Sequence, residues 1–60
     1  MLIFAGYNPE GNAVRVTLED NHVYIEEVRT GKKERWNDEW YDEDSWSLIR
    51  VSMMNEGYTM

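Results

Sequence analysis

Asp20-Asn21 lies between two runs of residues with strand character, and no other feature limits the possible folds of this chain so tightly. Both residues tolerate positive φ, which a two-residue hairpin turn requires. Before the turn, Val14, Val16 and Leu18 share one side of a strand over residues 13–19, and Arg15, Thr17 and Glu19 share the other. After it, residues 22–30 return as a β-branched strand. So short a turn fixes the register. Glu19 opposes His22, Leu18 opposes Val23, Val16 opposes Ile25, and Arg15 meets Glu26 as an opposite-charge pair.

Leu2 to Tyr7 is an apolar run too short for a helix, and it reads as a strand buried on both faces. Asn8-Pro9-Glu10-Gly11-Asn12 ends it in a turn. In the return strand Val28 falls out of phase with Val23 and Ile25, so a bulge near Glu26-Glu27 is expected to bring it back to the core face. Thr30-Gly31-Lys32-Lys33 suggests a type II′ turn that sets Arg29 opposite Glu34. Residues 33–36 then form a short charged edge strand. Asn37 is a good N-cap, Asp38 and Glu39 suit a first helical turn, and Trp36 packing on Tyr41 would staple it. A short helix over residues 38–44 is expected. Residues 46–54 (Trp46, Leu48, Ile49, Val51, Met53 and Met54 among them) read as a last, central strand. Asn55-Glu56-Gly57 turns the chain, and Tyr58 to Met60 follows as a tail or an added pairing. The expected fold is mainly β: a five-stranded antiparallel meander, closed as a small barrel or left as a curved sheet, with one short helix before the last strand. An α+β arrangement is the alternative.

With 60 residues the chain holds one small domain. Three Trp, four Tyr and one Phe supply the area such a small core needs. No Cys is present, which removes disulfides, thiolate zinc sites and thiolate nucleophiles, and suits a reducing compartment. The apolar opening is too short for a secretory segment, no basic residue precedes it, and no run approaches a membrane span. A cytoplasmic protein is expected.

The formal net charge is -6. Residues 15–35 carry five acids and five bases, and residues 47–60 carry Arg50 and Glu56. The excess therefore lies in Asp38, Glu39, Asp42, Glu43 and Asp44, with Glu10 the single remaining charge. Net negative charge argues against nucleic acid or an anionic membrane as a direct partner. As a helix the acidic segment would be roughly 10 Å long, with about one carboxylate per 2 Å. Duplex DNA carries about one charge per 1.7 Å of axis. A solvated surface is the bland reading of such a run, but a sequence shaped for solubility alone mixes its signs. Five like charges without an interleaved base repel one another. Trp36, Trp40 and Trp46 frame the segment, first as core residues and then, where left at its edge, as binding anchors.

Other chemistry is thinly supplied. Asp38, Asp42 and Asp44 offer hard oxygen ligands, but the calcium-loop pattern is absent, and no metal or other cofactor is expected. His22 stands alone at a turn, with nothing to set Ser45, Ser47 or Ser52 against it, so no catalytic residue is assigned. Of the basic residues, Arg29 reads as pairing Glu34 and Arg35 as reaching Glu26 or Glu27, whereas Lys32 and Lys33 read as capping a solvent turn.

In size, acidity and lack of catalytic apparatus the chain resembles the small phage-encoded inhibitors that mimic nucleic acid, including anti-CRISPR and anti-restriction proteins. Only the five clustered acids carry the resemblance, and no motif supports it. It implies a non-enzymatic inhibitor in the host cytoplasm, with a basic nucleic-acid-binding host protein as target. Asp38, Glu39, Trp40, Tyr41, Asp42, Glu43 and Asp44 are then the candidate partner-binding residues. A generic interaction module or a homo-oligomeric β protein, for instance a homodimer, is the rival expectation.

Overall fold

A computed structural model describes every residue from Met1 to Met60. The fold is mainly β. Strands β1 (Leu2–Tyr7), β2 (Ala13–Glu19), β3 (His22–Glu27) and β4 (Lys33–Arg35) form one open antiparallel sheet in sequence order, and helix α1 (Trp46–Asn55) follows. The expected five-stranded meander and barrel closure are not found. No helix is long and apolar enough to cross a membrane.

The β2–β3 hairpin has the expected register, from Val14 opposite Glu27 to Glu19 opposite His22, and it sets Arg15 opposite Glu26, although the two form no ion pair. Asp20 and Asn21 both adopt positive φ, 51° and 64°. Two left-handed central residues give the turn a twist that matches the strands it joins. Alternation then decides what is inside: Val14, Val16, Leu18 and Val23 are buried on one face.

The pairing of β3 with β4 departs from expectation. Ile25 opposes Glu34 and Tyr24 opposes Arg35, so Arg29 does not face Glu34. Residues 28–31 form the loop instead, closed by the amide of Gly31 donating to the Glu27 carbonyl at 2.8 Å. Gly31 is its left-handed residue, with φ 74°. The β2–β3 ladder is regular to Glu27, so the bulge expected at Glu26-Glu27 is absent and Val28 stays exposed in the loop. The irregularity in the sheet lies in β1, between Leu2 and Phe4. Nor is β1 buried on both faces. Phe4 alone is fully buried, because no second layer covers the side that carries Leu2, Ala5 and Tyr7.

Residues 46–54 form a helix and not a central strand. Read at 3.6 residues per turn, Ile49 and Met53 fall on one side, and both are buried with Phe4, Leu18 and the three β2–β3 valines in a seven-residue core. Acids just upstream favour the positive N-terminal end of the helix. At the other end the amide of Gly57 donates to the Met54 carbonyl at 3.0 Å and that of Tyr58 to Met53 at 3.1 Å. This closure needs a left-handed residue, and Gly57 has φ 102°. Beyond it the tail adds a pairing, as one of the two expected outcomes. Tyr7 and Thr59 exchange both backbone bonds, at 2.8 and 2.9 Å.

That pairing requires glycine at position 6. A methyl group there would run into the Thr59 carbonyl oxygen and the Met60 backbone. Gly6→Ala is expected to release the tail from β1 and to cost about 1–3 kcal/mol, the usual price of overpacking. Denaturant unfolding measures the loss, and faster exchange of the Tyr7 amide locates it.

Candidate acidic docking site

The acidic segment is an irregular loop between β4 and α1, not the expected helix over residues 38–44. Only Glu43–Ser45, a single 3-10 turn leading into α1, is helical in form. Five uncompensated acids disfavour a helix, and tertiary contacts offer the backbone better partners. Asn37 is a turn residue and not a helix cap: its Oδ1 accepts the Glu39 amide at 2.9 Å. Its Nδ2 donates to the Tyr41 hydroxyl oxygen at 3.0 Å, and that hydroxyl donates to Glu39 Oε2 at 2.9 Å.

The loop is tied at both ends. The Trp36 amide donates to the Val23 carbonyl at 2.8 Å. The Tyr41 amide donates to the Asn21 carbonyl at 2.7 Å, and Asn21 Nδ2 donates back to the Tyr41 carbonyl at 2.9 Å. Trp36 and Tyr41 stack as expected, with centroids 6.1 Å apart and planes at 22°. They do so across a loop, packed against the core. Trp36 Nε1 also reaches Glu56 Oε1 at 3.3 Å.

The candidate residues divide accordingly. Tyr41 is half-buried and positions the loop, whereas Trp40 is 64% exposed at its tip. Asp38, Glu39, Asp42, Glu43 and Asp44 are all exposed. Asp38 meets Arg35 at 3.6 Å, and Glu39 is held by Tyr41. Asp42, Glu43 and Asp44 make no ion pair. The nearby cations are engaged differently from expectation. Lys32 pairs with Glu34 at 3.1 Å and Lys33 with Glu19 at 2.6 Å, and neither Arg29–Glu34 nor a pair of Arg35 with Glu26 or Glu27 forms. Lys33 and Arg35 also flank the Tyr24 ring, 5.3 and 5.7 Å from its centroid. The Lys33 partner holds the Glu19 carboxyl below its ordinary range, and Glu19 holds the Lys33 ammonium above its own.

No three acidic or histidine side chains converge in a metal-holding group. His22 Nδ1 lies 2.9 Å from the Asp20 carbonyl, at the hairpin end. A cavity of mixed charge, with Arg35 and Lys32 beside its three glutamates, was not expected from the sequence. This cavity, of about 330 Å³ on the core side of the β3–β4 edge, is lined by Glu10, Glu27, Glu34, Lys32, Trp36 and Tyr58. Its sequence signal was the parity of Val23, Ile25 and Glu27, which points Glu27 to the core face once no bulge intervenes.

Comparison with protein-family models, curated proteins and solved structures gives no match for the chain.

Burial pushes the Tyr41 hydroxyl above its ordinary pKa, with Glu39 adding to the effect, and burial also raises Tyr58, helped by Glu56 and Glu10. The folded state therefore disfavours both phenolates. The stabilising effect of the two neutral hydroxyls is complete below the ordinary tyrosine value of 10.0 and is lost as pH rises through the folded-state values. Alkaline titration is expected to show phenolate absorbance appearing together with loss of the far-ultraviolet dichroism. Ionisation of Tyr41 and Tyr58 at the ordinary value, with the fold intact, would contradict this.

Proposed function

We propose that this protein is a non-enzymatic inhibitor or modulator that presents its acidic loop to the basic nucleic-acid-binding surface of a partner protein. The observation that carries this reading is the unpaired state of Asp42, Glu43 and Asp44. Three ion pairs form in the molecule, and none of them includes these carboxylates. Their charge is available to a partner, on a loop whose backbone is already fixed through Tyr41 and Asn21. A fixed loop loses little conformational freedom on binding. Opposite charge steers the encounter and suits Lys and Arg that otherwise hold phosphates. Trp40 supplies exposed aromatic surface beside the carboxylates. This is the device of the nucleic-acid-mimic inhibitors that the sequence resembles by charge. The rival reading, a homo-oligomeric or generic interaction module, draws on the apolar residues exposed along α1.

Affinity capture with the immobilised protein, at low and high salt, separates the two. A basic nucleic-acid-binding protein retained at about 0.05 M salt and released at about 0.5 M is the expected result, because screening at the higher value is nearly complete. The variant Asp42→Asn, Glu43→Gln, Asp44→Asn is expected to lose tenfold or more in affinity for it. An unchanged affinity in the folded variant would sink the proposal.

A further inference from the structure

Helix α1 is apolar on two opposite sides, and the fold uses one of them. Ile49 and Met53 point into the core. Leu48, Val51 and Met54 recur at i, i+3 and i+6 on the far side and are 63%, 53% and 51% exposed. A single exposed leucine is ordinary, whereas a contiguous stripe marks a docking surface. Arg50, the one charged residue of the helix, is engaged elsewhere. Its guanidinium lies 5.6 Å from the Trp46 ring centroid and donates to Met60 Sδ at 3.1 Å. The 3-10 turn Glu43–Ser45 runs directly into α1 and sets Asp44 four residues before Leu48, at the head of the stripe.

We infer that the outward face of α1 and the acidic turn before it form one docking surface, and that its occupant is a basic amphipathic helix of a partner protein. This deepens the reading above and rests on it, because it takes Asp42, Glu43 and Asp44 as partner-facing. Charge selects the occupant. The surface has an apolar middle, carboxylates at one end and no cation along the stripe. A second copy aligned in parallel would set acids on acids. A copy aligned antiparallel about Val51 would set Glu43 and Asp44 against the negative end of the other helix, near Glu56, on molecules that each carry -6. An anionic lipid surface is repelled in the same way. A helix with apolar anchors at i, i+3, i+4 and i+7 and Lys or Arg beside them satisfies both halves. The stripe spans roughly 9 Å, enough for about two turns of such a partner.

The test uses a synthetic amphipathic helix of leucine and lysine, about four turns long, and an analogue with glutamate replacing lysine. Binding is followed by calorimetry and by amide shift mapping. The lysine peptide is expected to bind with shifts centred on residues 42–54, and the glutamate analogue not to bind. Leu48→Ser with Val51→Ser is expected to weaken binding tenfold or more, and Leu48→Ala with Val51→Ala serves should the serine pair disturb the helix. Full affinity in a folded stripe variant overturns the inference. So do shifts centred on the cavity of Glu10, Glu27 and Glu34, self-association that the stripe variant abolishes, or binding to phosphatidylserine vesicles that it abolishes. The variant Asp42→Asn, Glu43→Gln, Asp44→Asn separates the two levels. Loss there with an unaffected stripe variant overturns the docking face and leaves the acidic reading standing. No loss there overturns the acidic reading, and the basic occupant with it.

Discussion

Two residues in the left-handed conformation, Asp20 and Asn21, set most of what this molecule is. Their turn fixes the β2–β3 register, and that register sends Val14, Val16, Leu18 and Val23 to one face. The same Asn21 then reaches 20 residues along the chain. Its carbonyl accepts the Tyr41 amide and its side chain donates to the Tyr41 carbonyl. One turn thus holds both the sheet and the acidic loop. Two such bonds contribute about 1 kcal/mol each, modest in energy but sufficient to choose one loop conformation.

The β2–β3 hairpin was legible because its information is local: a two-residue turn and alternation on both sides. Helix α1 was less legible. Leu48, Ile49, Val51, Met53 and Met54 satisfy a strand buried on two faces as well as a helix, and short apolar runs do not separate the two by period alone. The discriminating signals lay outside the run, in the acids before it and in Gly57 after it. The acidic loop misled for a different reason. Trp36 and Tyr41 do pack together, as their spacing suggests, but the contact closes a loop that Asn21 clamps from a distant turn. No window of sequence around residues 38–44 contains that partner. The charge of the candidate site was plain from the sequence, whereas its orientation was not. Trp40 faces outward while Tyr41 turns in, and which aromatic stays exposed is decided by packing.

The distribution of ion pairs links the fold to the proposed role. Lys32, Lys33 and Arg35 crowd the β4 region, and each finds an acid: Glu34, Glu19 and Asp38. Residues 15–35, with five acids and five bases, are neutral in sum. A short charged edge strand also discourages further strand addition on that side. Beyond β4, Asp42 to Asp44 form the one run of carboxylates with no ion pair and no interleaved base, and the apolar outer side of α1 is continuous with it. Both lie on the part of the chain that packs onto the sheet from one face. A near-neutral β scaffold thus carries a single polarised surface.

The central claim is that the acidic loop is a fixed structure clamped by the hairpin, and not a charged tether. Hydrogen exchange at the Tyr41 amide, measured with heteronuclear relaxation of residues 38–44, tests it most directly. The account predicts slow exchange at Tyr41, and relaxation across the loop close to that of β2 and β3. Exchange at the rate of an unstructured chain, or fast internal motion through residues 38–44, would contradict it.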